Sequence, residues 1–339
     1  MYQPSKYFYK LYENERILKF KAKNIEEWKK WKFNLKNKLI ELLGIYPEEI
    51  DLNPQILEEK NYDDYIREKV IFNSTRDIEV VGYLLIPKFR KFPIPGILAI
   101  HGHGYGKDDI VGINQDGSER KIPLGYQKDF ALTLVKNGFV VFAIEQMGFG
   151  ERREEEDIRK GRDKSSCRKL SFFAMMLGKT LLGIRVWDAI RNIDFLQSLS
   201  EVKKDSIGIV GISGGGTTSL FTSALDERIK ATVISGYLNT FKDSILAIEH
   251  CECNYIPGIL KYAEMYDIAS LIAPRYLFIE HGIYDDIFPI NATKFAISQL
   301  EKVYEFLGVS NNLEYEFFDG KHEICGNKSF IWLKEKLNE

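Results

Sequence analysis

The arrangement of apolar and polar residues along the chain predicts strands that alternate with helices. Six short runs are almost continuously apolar, as expected for parallel strands covered on both faces. These runs are 96–100, 139–145, 206–211, 231–236, 276–281 and 313–318. Stretches of helical periodicity lie between or after them, at 127–136, 182–199, 217–225, 292–306 and 328–337. The alternation predicts an α/β fold with a doubly wound, mostly parallel sheet.

The N-terminal part of the chain follows a different pattern. Between residues 24 and 44, apolar side chains recur at steps of three and four, which indicates a helix that begins at Asn24 and ends at Gly44. Two β-rich runs, 67–74 and 78–87, then predict an antiparallel hairpin. We therefore expect an N-terminal helical extension of residues 1–60, packed on an α/β domain of residues 61–339.

Two connections, 146–180 and 237–274, are longer than is usual between strands and helices. Both follow predicted parallel strands, so both should leave the carboxyl edge of the sheet. Ligands bind at that edge in open α/β sheets. We interpret the two connections as insertions that border the site.

Composition and charge exclude several classes of protein. The 339 residues include 47 basic and 49 acidic side chains, and the net charge of -2 gives no field that attracts nucleic acid or an anionic membrane. The N-terminus has no secretory pattern, and the apolar stretch 170–184 is too short to span a bilayer and contains Lys179. The cysteines do not form a disulfide framework, which favours a cytoplasmic location. They are Cys167, Cys251, Cys253 and Cys325.

A G-x-S-x-G pattern, residues 211–215, directly follows the apolar run 206–210 and precedes a predicted helix. This strand-turn-helix context presents a serine nucleophile, and the glycines leave room for a strained serine backbone. Ser213 is therefore the candidate nucleophile. The backbone N–H of Gly214, at the start of the helix, is a candidate donor to an oxyanion.

A nucleophilic serine needs a base and an acid that orients the base. His322 follows the last predicted strand, where that base belongs in a serine, acid, histidine order. Asp285 is the preferred acid because Gly282, Asp285 and Pro289 have the spacing G-x-x-D-x-x-x-P, and Asp286 is the alternative. Either aspartate could instead open the next helix through an Asx turn.

The loop after the first core strand, His101-Gly102-His103-Gly104, is placed where esterases carry an oxyanion loop. We assign the backbone N–H of His103 as the second oxyanion donor. The side chain of His101 is expected to be a core group that fixes the loop by hydrogen bonds.

Other short patterns fail as cofactor motifs. Gly178-Lys179-Thr180 lacks the earlier glycine of a P-loop, because Phe173 occupies that position, and Lys107 replaces the third glycine of a dinucleotide turn. Cys251 and Cys253 form a C-x-C without the second pair that would close a zinc site. We therefore expect buried thiols near the pocket rather than a metal site, and no nucleotide binding.

These stretches together resemble the α/β-hydrolase superfamily, and within it the bacterial acetyl xylan esterase and dienelactone hydrolase-like esterases. The resemblance implies an α/β-hydrolase fold, with Ser213 as nucleophile, Asp285 as acid and His322 as base, and no cofactor. Two positions depart from the usual pattern, since Glu145 replaces a frequent aspartate and Gly214 replaces a bulkier residue. The matching stretches are 101–104, 148–152, 183–188, 211–215, 254–258, 273–275 and 320–322.

The expected function is that of a serine carboxylesterase for short-chain esters. Acetyl esters are favoured by the resemblance alone, and a carbohydrate deacetylase of the acetyl xylan esterase type is included. The alternatives are a serine amidase or peptidase, and a non-catalytic ligand-binding module on the same fold. The expected partner is a small-molecule or carbohydrate ester, with no nucleic acid and no membrane, and a homo-oligomer is compatible with the sequence.

Overall fold

A nine-stranded sheet forms the centre of the computed structural model, which describes residues 3–45 and 48–339. The strands are β1 (Gln55–Asn61), β2 (Tyr65–Thr75), β3 (Ile78–Pro87), β4 (Ile94–Ile100), β5 (Val140–Ile144), β6 (Val202–Ile212), β7 (Ile229–Ser235), β8 (Tyr276–Gly282) and β9 (Leu313–Phe318). Their spatial order is β1-β2-β3-β5-β4-β6-β7-β8-β9. The pairs β1/β2, β2/β3 and β3/β5 are antiparallel, and the other pairs are parallel. The predicted α/β sheet with an antiparallel N-terminal hairpin is confirmed.

Helices cover both faces of the sheet. They are α1 (Ser5–Tyr12), α2 (Ile25–Leu43), α3 (Phe130–Lys136), α4 (Glu155–Lys160), α5 (Cys167–Met176), α6 (Leu181–Ser198), α7 (Gly214–Leu225), α8 (Met265–Ala269), α9 (Ile290–Phe306) and α10 (Ser329–Asn338). Successive strand residues point to opposite faces. Accordingly, Ile209 of β6 packs in a cluster with α6, whereas Val210 packs in a cluster with α3 and α10.

The tryptophan-containing helix α2 begins and ends as its sequence predicts. The side chain of Asn24 accepts a hydrogen bond from the Glu27 N–H at 2.9 Å, and Gly44 ends the helix in the left-handed region with φ of 68°. Leu35 and Leu39 are fully buried in one cluster with residues of α7 and α9. The helix therefore packs on the α/β core.

Several elements differ from the sequence prediction. Residues 55–61 form a strand that begins inside the predicted helical extension of residues 1–60, and all seven side chains are exposed. A strand without a buried face has no apolar alternation, so β1 is defined by its pairing with β2 and not by its own sequence. The long connections also contain short helices, α4 and α5 in the first and α8 in the second.

Within residues 3–45 and 48–339, no single helix is long and apolar enough to span a bilayer. The helices Cys167–Met176 and Leu181–Ser198 reach the necessary length and apolar character only together, and a bend of 98° separates them.

Candidate active site

Ser213 occupies a strained turn between β6 and α7. Its φ of 55° and ψ of −122° are unusual for a residue with a side chain, and the flanking glycines make this turn sterically feasible. A Cβ on Gly215 would lie 2.0 Å from the carbonyl oxygen of Ile100, and one on Gly211 would lie 2.3 Å from that of Gly215. The G-x-S-x-G pattern thus has a steric reason at both glycines.

His322 is paired with Asp285. The imidazole Nδ1 lies 2.7 Å from Asp285 Oδ2. Burial raises the pKa of the carboxyl, but the hydrogen bond and the charge of His322 outweigh burial and hold the pKa of Asp285 below its ordinary value. The carboxylate is therefore ionised at neutral pH and can orient the imidazole.

The two candidate acids differ in position. Asp285 is buried and contacts His322, whereas Asp286 is exposed to solvent. Asp285 Oδ1 also accepts the backbone N–H groups of Ile287 and Phe288 at 2.9 and 3.0 Å. The Asp285 side chain therefore makes both the contact to the imidazole and the Asx turn that precedes α9.

The predicted oxyanion residues lie next to each other. Gly214 is the first residue of α7, where backbone N–H groups lack a partner within the helix. A Cβ on Gly214 would lie 2.9 Å from Nδ1 of His103, so glycine at this position leaves space for the imidazole of His103. The departure at position 214 has this steric explanation.

Tyr126 is a site residue that the sequence analysis missed. Its ring stacks on the imidazole of His322 with a centroid distance of 5.6 Å, and its hydroxyl donates a hydrogen bond to the carbonyl oxygen of His103 at 2.5 Å. The same hydroxyl interacts with the hydroxyl of Ser213, and desolvation raises the pKa of Tyr126, so it remains a neutral donor. No motif marks this tyrosine, which lies in the connection between β4 and α3.

A buried polar network supports the loop after β4. The Nε2 of His101 accepts the backbone N–H of Gln146 at 3.1 Å, and its Nδ1 lies 2.7 Å from the carbonyl oxygen of Gly102, as expected for a core histidine. Glu145 is 3.2 Å from the buried ammonium of Lys107. Burial raises the pKa of Glu145, but the positive charge of Lys107 has the opposite effect, and the pKa falls to about 2. The departure at position 145 is thus part of this network.

An apolar cavity of about 790 Å³ is separate from this site. It lies between the N-terminal segment and residues 254–261, and Ser213, Asp285 and His322 are not among its lining residues.

Comparison with known proteins gives a consistent pattern. A model of the Abhydrolase family matches residues 11–316. A protein of Bacillus subtilis (strain 168), "Putative hydrolase YtaP", is 29% identical over 287 residues, which cover 81% of this chain and 89% of that protein.

Solved structures show the same architecture. The "putative acetyl xylan esterase (BF1801)" from Bacteroides fragilis NCTC 9343 is similar with a TM-score of 0.78 at 20% identity, covering 94% of this chain and 83% of its own. The "Glucuronoyl Esterase from Solibacter usitatus" is similar with a TM-score of 0.65 at 14% identity, covering 91% of this chain and 93% of its own. At these identities the similarity establishes a common fold.

Proposed function

The chain belongs to the Abhydrolase family and has the expected α/β-hydrolase fold, and from this premise we propose that it is a serine carboxylesterase. The proposal rests on one observation above all, the 2.7 Å contact between Asp285 Oδ2 and His322 Nδ1 in a sheet whose strained serine turn carries Ser213. A base held by a buried carboxylate is what a serine hydroxyl needs to become a nucleophile.

In the proposed mechanism, Ser213 Oγ attacks the ester carbonyl carbon while His322 accepts the hydroxyl proton. The N–H groups of Gly214 and His103 stabilise the negative oxygen of the tetrahedral intermediate. The C–O bond to the alcohol then breaks, and His322 returns the proton to the departing alcohol. A water molecule, deprotonated by the same base, attacks the acyl-enzyme and releases the acid and the free serine.

The proposed substrate is a short-chain ester, acetyl above all, and a carbohydrate ester is the favoured natural class. The support is the fold shared with proteins named as an acetyl xylan esterase and a glucuronoyl esterase. The formal net charge of -2 is consistent with a small-molecule partner and with neither nucleic acid nor an anionic membrane.

A panel of substrates tests the reaction and the substrate class together. We expect kcat/KM for aryl esters to fall from acetyl through butyryl to octanoyl, and acetylated xylo-oligosaccharides to release acetate. The Ser213→Ala protein is the blank for spontaneous hydrolysis. If aryl amides were hydrolysed and the esters were not, the protein would be an amidase. Binding of the esters without any turnover would identify a ligand-binding module.

The proposed base predicts an acid limb in the pH profile. His322 must be neutral to accept the serine proton, so we expect kcat/KM to fall as the pH decreases from about 8 to about 5. Three neighbours of His322 keep the same protonation state over this pH interval. The pKa of Asp285 is lowered, that of Tyr126 is raised, and burial lowers the pKa of His250 to about 4.

Initial rates with an acetyl aryl ester, measured below KM at each pH, give this profile. Circular dichroism at the same pH values is the control for unfolding. A flat profile over this range in folded protein would contradict the assignment of His322 as base.

A further inference from the structure

Four metal-ligand side chains meet beside the candidate active site. They are His103 in the loop after β4, Cys167 at the start of α5, and Cys251 and Cys253 in the connection after β7. One nitrogen or sulfur atom from each lies within 4.8 Å of the others. The C-x-C pattern lacked a second pair of ligands in the sequence, and the fold supplies that pair from two distant segments.

The separations suit one tetrahedral ion. Zn–S bonds of about 2.3 Å and Zn–N bonds of about 2.0 Å place neighbouring ligand atoms about 3.5 to 3.8 Å apart. The Nε2 of His103 is 3.6 Å from Cys253 Sγ, and the Sγ atoms of Cys251 and Cys253 are 3.2 Å apart. A small outward shift of one thiol therefore gives the required geometry.

A buried arginine provides an independent indication of negative charge at the same place. Arg185 is 2% exposed, and its Nη2 lies 3.1 Å from Cys167 Sγ. Its other hydrogen bonds go to the carbonyl oxygen of Met147, and among residues 3–45 and 48–339 no carboxylate forms an ion pair with it. A buried cation is costly without a counter-charge. Three thiolates and one divalent cation carry a net charge of −1, which the guanidinium would balance.

The surroundings resemble the outer shell of a metal site. Asn254 Nδ2 lies 3.7 Å from Cys253 Sγ, and Oδ1 of Asn254 accepts a hydrogen bond from the Thr217 hydroxyl at 2.9 Å, which fixes the side-chain amide. Cys167 and Cys253 are buried in one apolar cluster with Phe149. Hydrogen-bond donors to the ligating sulfurs and an apolar shell both favour metal retention.

We propose that Cys167, Cys251, Cys253 and His103 bind one divalent ion of the Zn²⁺ class. Three sulfur ligands and one imidazole favour Zn²⁺ or Co²⁺ over Mg²⁺ or Ca²⁺, and four protein ligands make a closed, structural site. Ligation through Nε2 leaves the proton of His103 on Nδ1, beside Gly214. The ion would thereby hold the loop that carries the proposed second oxyanion donor.

Cobalt titration of the reduced, chelator-treated full-length protein tests this site. We expect one equivalent of Co²⁺ to produce the strong visible bands of tetrahedral cobalt and a thiolate charge-transfer band, and Zn²⁺ to remove both. Cys251→Ser and Cys253→Ser should each weaken Co²⁺ binding by at least about 100-fold. His103→Ala, which keeps all three thiols and changes a partly exposed side chain, should weaken binding and shift the visible bands.

Cys325→Ser is the matched control, because Cys325 is the remaining cysteine and is not part of the cluster. It should bind Co²⁺ like the wild type. The proposal is overturned if reduced, folded protein gives no thiolate–cobalt band, or if the bands are unchanged in the cluster variants. The proposal is also overturned if Cys325→Ser is the one cysteine variant that abolishes the cobalt bands. Because the readout is metal binding, this result is independent of whether the protein hydrolyses esters.

Discussion

Replacement of Ser213 by alanine should lower kcat for acetyl esters by about 10⁴-fold to 10⁶-fold, the loss typical of a missing serine nucleophile. Without Oγ, no acyl-enzyme can form, and only direct attack by water remains. Stabilisation of the oxyanion by the Gly214 and His103 N–H groups would survive, so a small rate above the uncatalysed reaction should persist. Steady-state kinetics measure the loss in kcat and the residual rate above the uncatalysed reaction. Active-site titration of the wild type gives the concentration of active enzyme on which its kcat is based.

The turn itself should tolerate this change. Alanine keeps the Cβ of Ser213, so the backbone strain at φ of 55° is unchanged and the melting temperature should be close to that of the wild type. Ser219→Ala is the matched control, because Ser219 is a buried serine of the adjacent helix whose hydroxyl has no hydrogen-bond partner among the described residues. An organophosphonate should label the wild type and Ser219→Ala but not Ser213→Ala. Labelling of all three at the same residue would show that another nucleophile acts.

Much of the fold could be predicted because its signals are local. The central parallel strands are largely apolar and buried, as in Val140–Ile144, where every residue is buried. Helix α2 has its own cap at Asn24 and its own end at Gly44. Strand β1 has neither kind of signal. Its side chains are exposed, and its extended conformation is fixed by hydrogen bonding to the neighbouring strand β2.

The contacts within the site depend on long-range packing, which limits prediction from sequence. Tyr126 reaches His322 across almost two hundred positions of the chain, and no spacing rule connects them. The C-x-C pattern was visible in the sequence, but the association of its two cysteines with Cys167 and His103 arises only when three segments meet. Likewise, spacing alone left two adjacent aspartates as candidates for the acid, and burial separates them.

Asparagine substitutions at these two aspartates should have very different effects. Asp285→Asn should lower kcat by about 10⁴-fold, because an amide that donates to Nδ1 would stabilise the wrong imidazole tautomer. Asp286→Asn is the matched control, since it makes the same chemical change one residue away at an exposed position, and we expect its kcat within about twofold of the wild type. Steady-state kinetics with an acetyl aryl ester measure both variants.

Asparagine is the informative substitution at position 285 because the side chain has two roles. Its Oδ1 accepts the N–H groups of Ile287 and Phe288, and an amide oxygen can keep both hydrogen bonds while the group facing His322 changes from acceptor to donor. Asp285→Asn should therefore lose activity with little change in melting temperature, whereas Asp285→Ala should lose both. If Asp286→Asn reduced kcat as strongly as Asp285→Asn in equally stable proteins, the buried carboxylate would not be the group that orients the base.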